Sequence, residues 1–239
     1  MSKSIEFLAW DSEFFGRRVA RLKVQSTKAL DRLIQTARER RYELLYIYSS
    51  FPIENYVTGG YALLDVGGHI TFAKSLSSYS PKEIKPMEEI SQFQLDTLTQ
   101  ELLEIAFLSG HLSRFKIDSS LPAGSFESLY ETWLANAQKI RPESAIYIYH
   151  CDHRIAGLIT SEIHGPKCNI GLLAVSQSYQ GKGIATRLIT YLQGICFQNQ
   201  VSSVEVKTQL ANKPARALYI RNSFTELERS FLYHAHIVE

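Results

Sequence analysis

Apolar positions recur along the chain with two periods, and each period predicts a kind of element. From Val19 to Val24 they alternate. Ala20, Leu22 and Val24 share one face of a short strand, and Val19, Arg21 and Lys23 share the other. From Thr27, a fair N-cap, Leu30, Leu33, Ile34 and Ala37 fall on one side of a helix running through Arg40. Leu44 to Tyr48 is continuously apolar and predicts a buried strand. Gly59-Gly60 is a turn, and Ala62 to Lys74 predicts one or two strands broken at Gly67-Gly68. The stretch EFLAWDSEFFG from Glu6 offers Trp10, Phe14 and Phe15 as packing residues. Ser75 to Pro86 is rich in serine and proline with few apolar residues, so a linker and a boundary near residue 80 are expected.

Beyond it, Leu95 to Leu108 predicts a helix with Leu95, Leu98, Leu102, Ile105 and Ala106 on one side, ended by Gly110. A polar stretch follows. Ser125 to Gln138 then predicts a helix that buries Phe126, Leu129, Tyr130, Trp133, Leu134 and Ala137. Ala145–Tyr149, Arg154–Ile163 and Lys167–Val175 are three strands joined by short turns at Asp152-His153 and Gly165-Pro166, so an antiparallel meander is expected. After a glycine turn, Ile184, Leu188, Leu192 and Ile195 mark a helix. Val204 and Val206 alternate with Ser203, Glu205 and Lys207 in a further strand. A helix from Asn212 to about Asn222 and two strands, Phe224–Glu228 and Phe231–Ile237, complete the pattern.

The junction after the meander carries the chemistry. Gly181 and Gly183 flank Lys182 between a strand and a helix start. The first N–H groups of a helix lack internal partners, the helix dipole adds positive charge there, and glycine lets a phosphate approach the backbone. A P-loop is excluded because Gly183 follows Lys182, and a dinucleotide fingerprint is excluded because Thr186 stands where its third glycine belongs. The pattern that fits is Q-x-x-G-x-A, as Gln180, Gly181, Lys182, Gly183, Ile184 and Ala185.

This motif resembles the acyl-CoA signature of the GNAT superfamily of N-acyltransferases. Leu173-Ala174-Val175-Ser176 before it resembles that family's pantetheine-bearing strand. The resemblance implies an α/β (α+β) GNAT fold, with a mixed, mostly antiparallel sheet flanked by helices and its first strand near Met87 to Ile90. It implies acetyl-CoA as co-substrate, held by Leu173, Val175 and the turn from Gln180 to Ala185. Asn212 followed by Tyr219 seven residues on also resembles a GNAT arrangement. It implies that Asn212 contacts the pantetheine and that the Tyr219 hydroxyl lies near the acetyl-CoA sulfur; as residues alone, Asn212 reads as a helix cap and Tyr219 as core. Tyr56 and Tyr61 are spaced like Tyr219 and Phe224, so residues 1–80 read as a truncated GNAT-like domain without the cofactor turn, and 81–239 as the catalytic domain.

A narrower resemblance lies in WDSEFFG, Ser113-Arg114-Phe115, SFESLYETWLANA and VKTQLANKPARALYIRNSF. Together these resemble the dTDP-4-amino-4,6-dideoxygalactose N-acetyltransferases. That implies a nucleotide amino sugar as acceptor, surface-glycan synthesis as context, and Arg114 and Lys116 as contacts to the nucleotide diphosphate. A GNAT acting on another small amine or a protein N-terminus, and a CoA-binding module without catalysis, remain as alternatives.

Composition narrows this little further. A net charge of +2 argues against nucleic acid as partner, and no run approaches the ~20 apolar residues of a membrane span. The three cysteines, Cys151, Cys168 and Cys196, offer neither metal spacing nor a disulfide framework, so no metal and a cytoplasmic location are expected. A homodimer is left open. Direct attack by a neutral amine needs an oxyanion donor, for which the Val175 N–H serves, and a proton for the thiolate, which Tyr219 can give. No base stands out; Glu162 and His164 can relay a proton through water, or sit on an edge strand as surface residues.

Overall fold

The computed structural model describes residues 5–54, 56, 59–77, 87–94, 97–139 and 143–238. Strand β1 (Ile5–Phe7), helix α1 (Ala9–Phe15), β2 (Val19–Val24), α2 (Thr27–Glu39), β3 (Leu44–Ser49) and β4 (Tyr61–Ser75) come first. Then follow β5 (Ile90–Gln92), α3 (Gln100–Ser109), α4 (Arg114–Ile117) and α5 (Ser125–Lys139). The meander is β6 (Ser144–Cys151), β7 (Arg154–His164) and β8 (Lys167–Val175), followed by α6 (Ile184–Gln198), β9 (Ser203–Gln209), α7 (Lys213–Arg221) and β10 (Thr225–Ile237).

All ten strands form one mixed sheet in the order β1-β2-β3-β10-β4-β9-β8-β7-β6-β5. Only β2–β3 and β8–β9 pair in parallel. The expected meander is present, and its first turn has Asp152 at φ 51° and His153 at φ 63°, the two positive values of a type I′ hairpin. The sheet continues across residue 80, because β9 and β10 both pair with β4.

Several expectations change in detail. Ser26, not Thr27, caps α2, accepting the Ala29 N–H. The stretch after Gly110 contains the short helix α4, capped by Ser113. The two expected last strands are one, kept continuous through irregularities between Glu226 and Glu228 and between Phe231 and Tyr233. Gly67-Gly68 does not break β4 but lies at a bulge, with Gly67 at φ 91°. Most of the expected linker, residues 78–86, and Leu95 lie outside the described residues.

The bulge in β4 has a purpose in packing. Tyr61 and Leu63 before it, and Ile70 and Phe72 after it, have opposite parity in sequence. The extra residue turns both pairs to the same face of the sheet. That face carries α2, α6 and α7, with Leu30, Leu188, Leu192 and Tyr219 in its core. The other face carries α1, α3, α4 and α5, with Phe15, Leu102, Phe115, Leu129 and Leu134 buried.

Gly68 is where this arrangement has no slack. A Cβ there would lie 2.5 Å from the Ser230 carbonyl oxygen on β10 and 2.5 Å from Leu210 Cδ1. Gly68→Ala should therefore cost about 1–3 kcal/mol, the usual range for overpacking. The melting temperature should fall by roughly 2–4 °C per kcal/mol for a chain of this size. A mutant that melts with the wild type would show that β4 and β10 can separate freely here.

Candidate active site

The site begins where two central strands part. β8 and β9 pair from Lys167↔Ser203 to Ile170↔Val206 and no further, although both continue. The parting coincides with an irregularity in β8 between its pairings with Ile159 and Ser161. There the Leu172 N–H donates to Thr160 Oγ1 at 2.8 Å. Gly171 faces the same hydroxyl, and a Cβ would approach it to 2.7 Å, so a side chain is excluded. Further along, the Ser176 N–H donates to the Ala156 carbonyl at 2.8 Å. Alternate residues of an antiparallel strand point opposite ways, so the Val175 N–H faces away from β7 into the gap. The Val175 carbonyl, on the same side, accepts from Gln180 Nε2 at 3.1 Å.

The gap opens into a cavity of ≈ 540 Å³ that reaches both faces of the sheet. From one face come Asn212, Ala215 and Tyr219 of the α7 segment; from the other come Arg114 and Phe115 of α4 and Tyr130 and Trp133 of α5. Of the site residues singled out in the sequence, Arg114, Glu162, Leu173, Asn212 and Tyr219 line this cavity, and Val175 and the turn from Gln180 to Ala185 lie outside its lining. So does Lys116, whose ammonium lies 5.0 Å from the centroid of the Phe126 ring.

Asn212 does what a cap does. Its Oδ1 accepts the Ala215 N–H at 3.2 Å, and Pro214 follows in the first turn. Tyr219, two turns on, is buried against Phe72 and Phe224, each 5.7 Å away between ring centroids. Burial pushes its phenol pKa up, so the hydroxyl facing the cavity stays protonated at any working pH.

The glycine turn lies at the other end of the gap. Gly181 has φ 77° and Gly183 φ 79°, a region that L side chains rarely adopt, and a Cβ at either would meet nothing within 4 Å. Gly183 is the N-cap of α6 and supplies no side-chain acceptor, so the first N–H groups of the helix stay open. Lys182 stands 4.9 Å over the Tyr179 ring. Ile184 is buried in the core and offers the turn its backbone alone. An open, uncapped, 15-residue helix start with a lysine beside it fits a pyrophosphate.

Sequence reasoning missed three features on the α4 side. Arg114 is fixed in place: its guanidinium carbon lies 4.0 Å from the Tyr46 ring centroid and 4.4 Å from that of Phe115, and Nη1 donates to the Tyr48 hydroxyl at 3.2 Å. Lys207 and His69 also line the cavity. Lys207 was readable from the alternation of β9, since buried Val204 and Val206 turn it to the opposite face. His69 was not, because the β4 bulge reverses the parity that would place it. Glu162 is the carboxylate lining the cavity among the described residues, and its Oε1 lies 3.1 Å from His164 Nε2. An edge position does not hold for Glu162, which is paired on both sides, while His164, beyond the end of β6, pairs with Lys167 of β8 alone.

Asp118, just after α4, ties the cavity wall to β10. Its Oδ2 lies 2.5 Å from His234 Nδ1 and 2.7 Å from His236 Nε2, and its Oδ1 accepts the Ser120 N–H at 3.0 Å. These side chains bring three potential metal-ligand atoms within 4.8 Å of one another, and their separations are those of hydrogen bonds. Burial alone would raise the Asp118 pKa, but the two imidazoles hold the carboxylate below its usual range. The three thiols are free. Cys168 and Cys196 are buried, and desolvation and the Asp152 carboxylate raise the pKa of Cys151.

Comparison with known proteins is decisive at the level of family. The Acetyltransferase (GNAT) family profile matches residues 100–224, just over half of the chain. The chain belongs to this family. It is therefore an N-acetyltransferase with the GNAT fold, and members of the family use acetyl-CoA as acyl donor. Among curated proteins it is similar to the spore coat polysaccharide biosynthesis protein SpsD of Bacillus subtilis (strain 168), 22% identical over an alignment of 237 residues that covers 94% of this chain and 80% of SpsD. Among solved structures, a GCN5-related N-acetyltransferase from Sphaerobacter thermophilus aligns with a TM-score of 0.59 at 18% identity, covering 98% of this chain and 76% of that one. A tandem GNAT protein from the clavulanic acid biosynthesis pathway aligns at 0.54 and 14%, covering 94% and 77%. No helix among the described residues is long and apolar enough to cross a membrane.

The buried histidines predict how stability depends on pH. Burial, with Arg114, Lys207 and His234 nearby, lowers the His69 pKa to about 3. Burial lowers that of His234 to about 4 despite Asp118. An unfolded histidine takes up its proton near ~6.5. Below that value the unfolded state binds more protons than the folded one, so stability is full above it and falls as pH drops towards 4 and then 3. Each group adds ~1.4 kcal/mol per pH unit to the slope. Asp118 acts lower still, since its stabilisation is lost only below the ordinary carboxylate pKa of ~3.9. Urea midpoints at pH 7.5, 6 and 5 should decline in that order; equal midpoints at 7.5 and 5 would mean that both imidazoles are charged in the folded state.

Proposed function

We propose that this acetyltransferase transfers the acetyl group of acetyl-CoA to the 4-amino group of a dTDP-linked amino-dideoxy sugar, in the cytoplasm, as a step of surface-glycan synthesis. The observation that carries the reading is the cavity through the sheet, with Tyr219 on one face and Arg114 and Lys207 on the other, and the open helix start of the glycine turn at the end of β8 beyond it. Support for a sugar comes from the similarity to a spore coat polysaccharide biosynthesis protein over nearly the whole chain. In this reading residues 1–80 are a truncated GNAT-like domain lacking the turn. The alignment with a tandem GNAT protein supports it at the level of fold.

Each residue then has a role. Gln180 to Ala185 receive the pyrophosphate on open helix N–H groups, with Lys182 adding a charge. Leu173 lines the pantetheine path where β9 has turned away, with Val175 further along the same edge of β8, and Asn212 meets it with the side-chain N–H that remains beside its bond to Gln209 Oε1 at 3.4 Å. The Val175 N–H, aimed into the gap, donates to the developing oxyanion. Holding acceptor and donor side by side supplies much of the rate, with no covalent enzyme intermediate. Glu162 relays the proton from the acceptor amine through water. Tyr219, un-ionised through burial, gives its proton to the departing thiolate. Arg114, stacked and hydrogen-bonded in place, presents the remaining guanidinium donors to the acceptor, while Lys116, over the Phe126 ring, lies outside the cavity.

The test is thiol release from acetyl-CoA on adding a dTDP-linked 4-amino sugar. Release is expected with this acceptor, and release only with other small amines or peptide N-termini would move the substrate elsewhere. Tyr219→Phe keeps the ring and removes one hydroxyl. Its kcat should fall ~10²–10⁴-fold, the worth of a positioned general acid, with acetyl-CoA affinity nearly unchanged. The loss should shrink for a donor with a more acidic thiol. A Phe variant that turns over like the wild type in single-turnover measurements would remove Tyr219 from the mechanism.

A further inference from the structure

Beside the acceptor cavity the sheet face is bare. α1 covers one end and α4 and α5 the other, and between them β2, β3, β10, β4 and β9 are exposed in a groove of ≈ 240 Å³. The alternation that buries Ala20, Leu22 and Val24 sends Arg21 and Lys23 into it. The alternation that buries Val204 and Val206 sends Lys207 into it from the far side. Lys207 lines both the groove and the acceptor cavity, so the two are adjacent. Tyr48, on the groove floor, is the residue whose hydroxyl holds Arg114.

The charges here are unequal. Arg21, Lys23, Lys207 and Arg229 face one carboxylate, Glu228. Arg21 is paired with Glu6 and Arg229 with Glu226. Among the described residues, Lys23 and Lys207 have no ion pair and share the groove with the unpaired Glu228 carboxylate, which leaves it a net positive charge that favours an anion. The depressed pKa of His69, lowered by Arg114 and Lys207 after burial, is a second sign of positive potential here.

We propose that this groove holds the diphosphate of the acceptor, with Lys23 and Lys207 as its contacts. This rests on the reading of the acceptor as a phosphate-bearing amine, and it moves the phosphates away from Lys116. Geometry supports it. Lys23 and Lys207 stand on strands four steps apart, about 19 Å at ~4.8 Å per step, yet both side chains line one groove of ≈ 240 Å³. Hydroxyls of Ser50, Thr71 and Ser230 line its floor as neutral donors.

The experiment is calorimetric titration of dTDP, and separately of inorganic pyrophosphate, into the full chain saturated with coenzyme A, so that the glycine turn is already filled. Both probes should bind. Lys23→Gln and Lys207→Gln should each weaken binding about tenfold, as loss of one charge-assisted contact does. Lys28→Gln, on the opposite face, should leave it unchanged. Equal affinity in Lys23→Gln and wild type overturns the proposal, as does a wild type that binds neither probe. A wild type that binds dTDP through Lys23 yet acetylates no dTDP-amino sugar keeps the groove and overturns the substrate reading instead. Turnover of that sugar with its KM unmoved by Lys23→Gln does the reverse.

Discussion

A strand in mid-sheet has backbone donors and acceptors on both edges, and each must be satisfied when it is buried. β8 violates this over its last residues because β9 leaves it after Ile170↔Val206. Two side chains fill in. On the β7 edge, where the irregularity interrupts the ladder, Thr160 lends its hydroxyl to the Leu172 N–H; on the edge that β9 has left, the Gln180 amide donates to the Val175 carbonyl. The Val175 N–H on that open edge is a donor held rigidly by its own strand. A binding site of this kind costs the sheet a few ladder bonds. In return it joins two faces that a continuous sheet would keep apart, so that Tyr219 under one layer of helices and Arg114 under the other border one space.

How much of this was legible depended on range along the chain. The meander, the glycine turn and α6 were readable because each is set by neighbours a few residues away: a two-residue turn with positive φ, a positive-φ glycine pair, apolar residues at helical spacing. Asn212 and Tyr219 were readable for the same reason, one capping a helix and the other two turns along it. The pairing of β10 was not. Nothing near Phe231 to His236 says that its partners are Leu44 to Ser49 and, across its other edge, β4. The bulge in β4 hid His69 in the same way, since one extra residue reverses which side chains face the site. Arg114 and Lys116 looked alike as basic loop residues, but about half a turn of helix separates their directions: one stacks on Tyr46 at the cavity and the other lies over Phe126.

Polarity is sorted by face with few exceptions. The α2, α6 and α7 side is apolar across both halves of the sheet, while charged and imidazole groups gather on the α4 side. The Asp118 carboxylate makes this tolerable at its deepest point. A buried anion with three N–H donors is satisfied, and the two histidines it holds need not be charged to remain there. Through this one side chain the wall of the acceptor pocket and the strand β10 share a hydrogen-bond network.

The position of β10 also bears on how the chain acquires its shape as it is made. Every other element precedes it in synthesis, yet it lies between β3 and β4 and joins them. Until it emerges, the strands from β1 to β3 are a three-stranded ribbon with an open edge, and β4 lacks one of its two neighbours. Its pairing of Leu44 with His236 closes one of the longest loops available to this chain, a slow step in folding. The nascent protein therefore carries an exposed β3 edge, the kind of surface that chaperones cover, and the Asp118 network can form only with that last insertion. Assembly of the acceptor pocket thus waits on the final strand, and a chain stalled on the ribosome before residue 225 would have its glycine turn and Tyr219 in hand but no finished wall for the substrate.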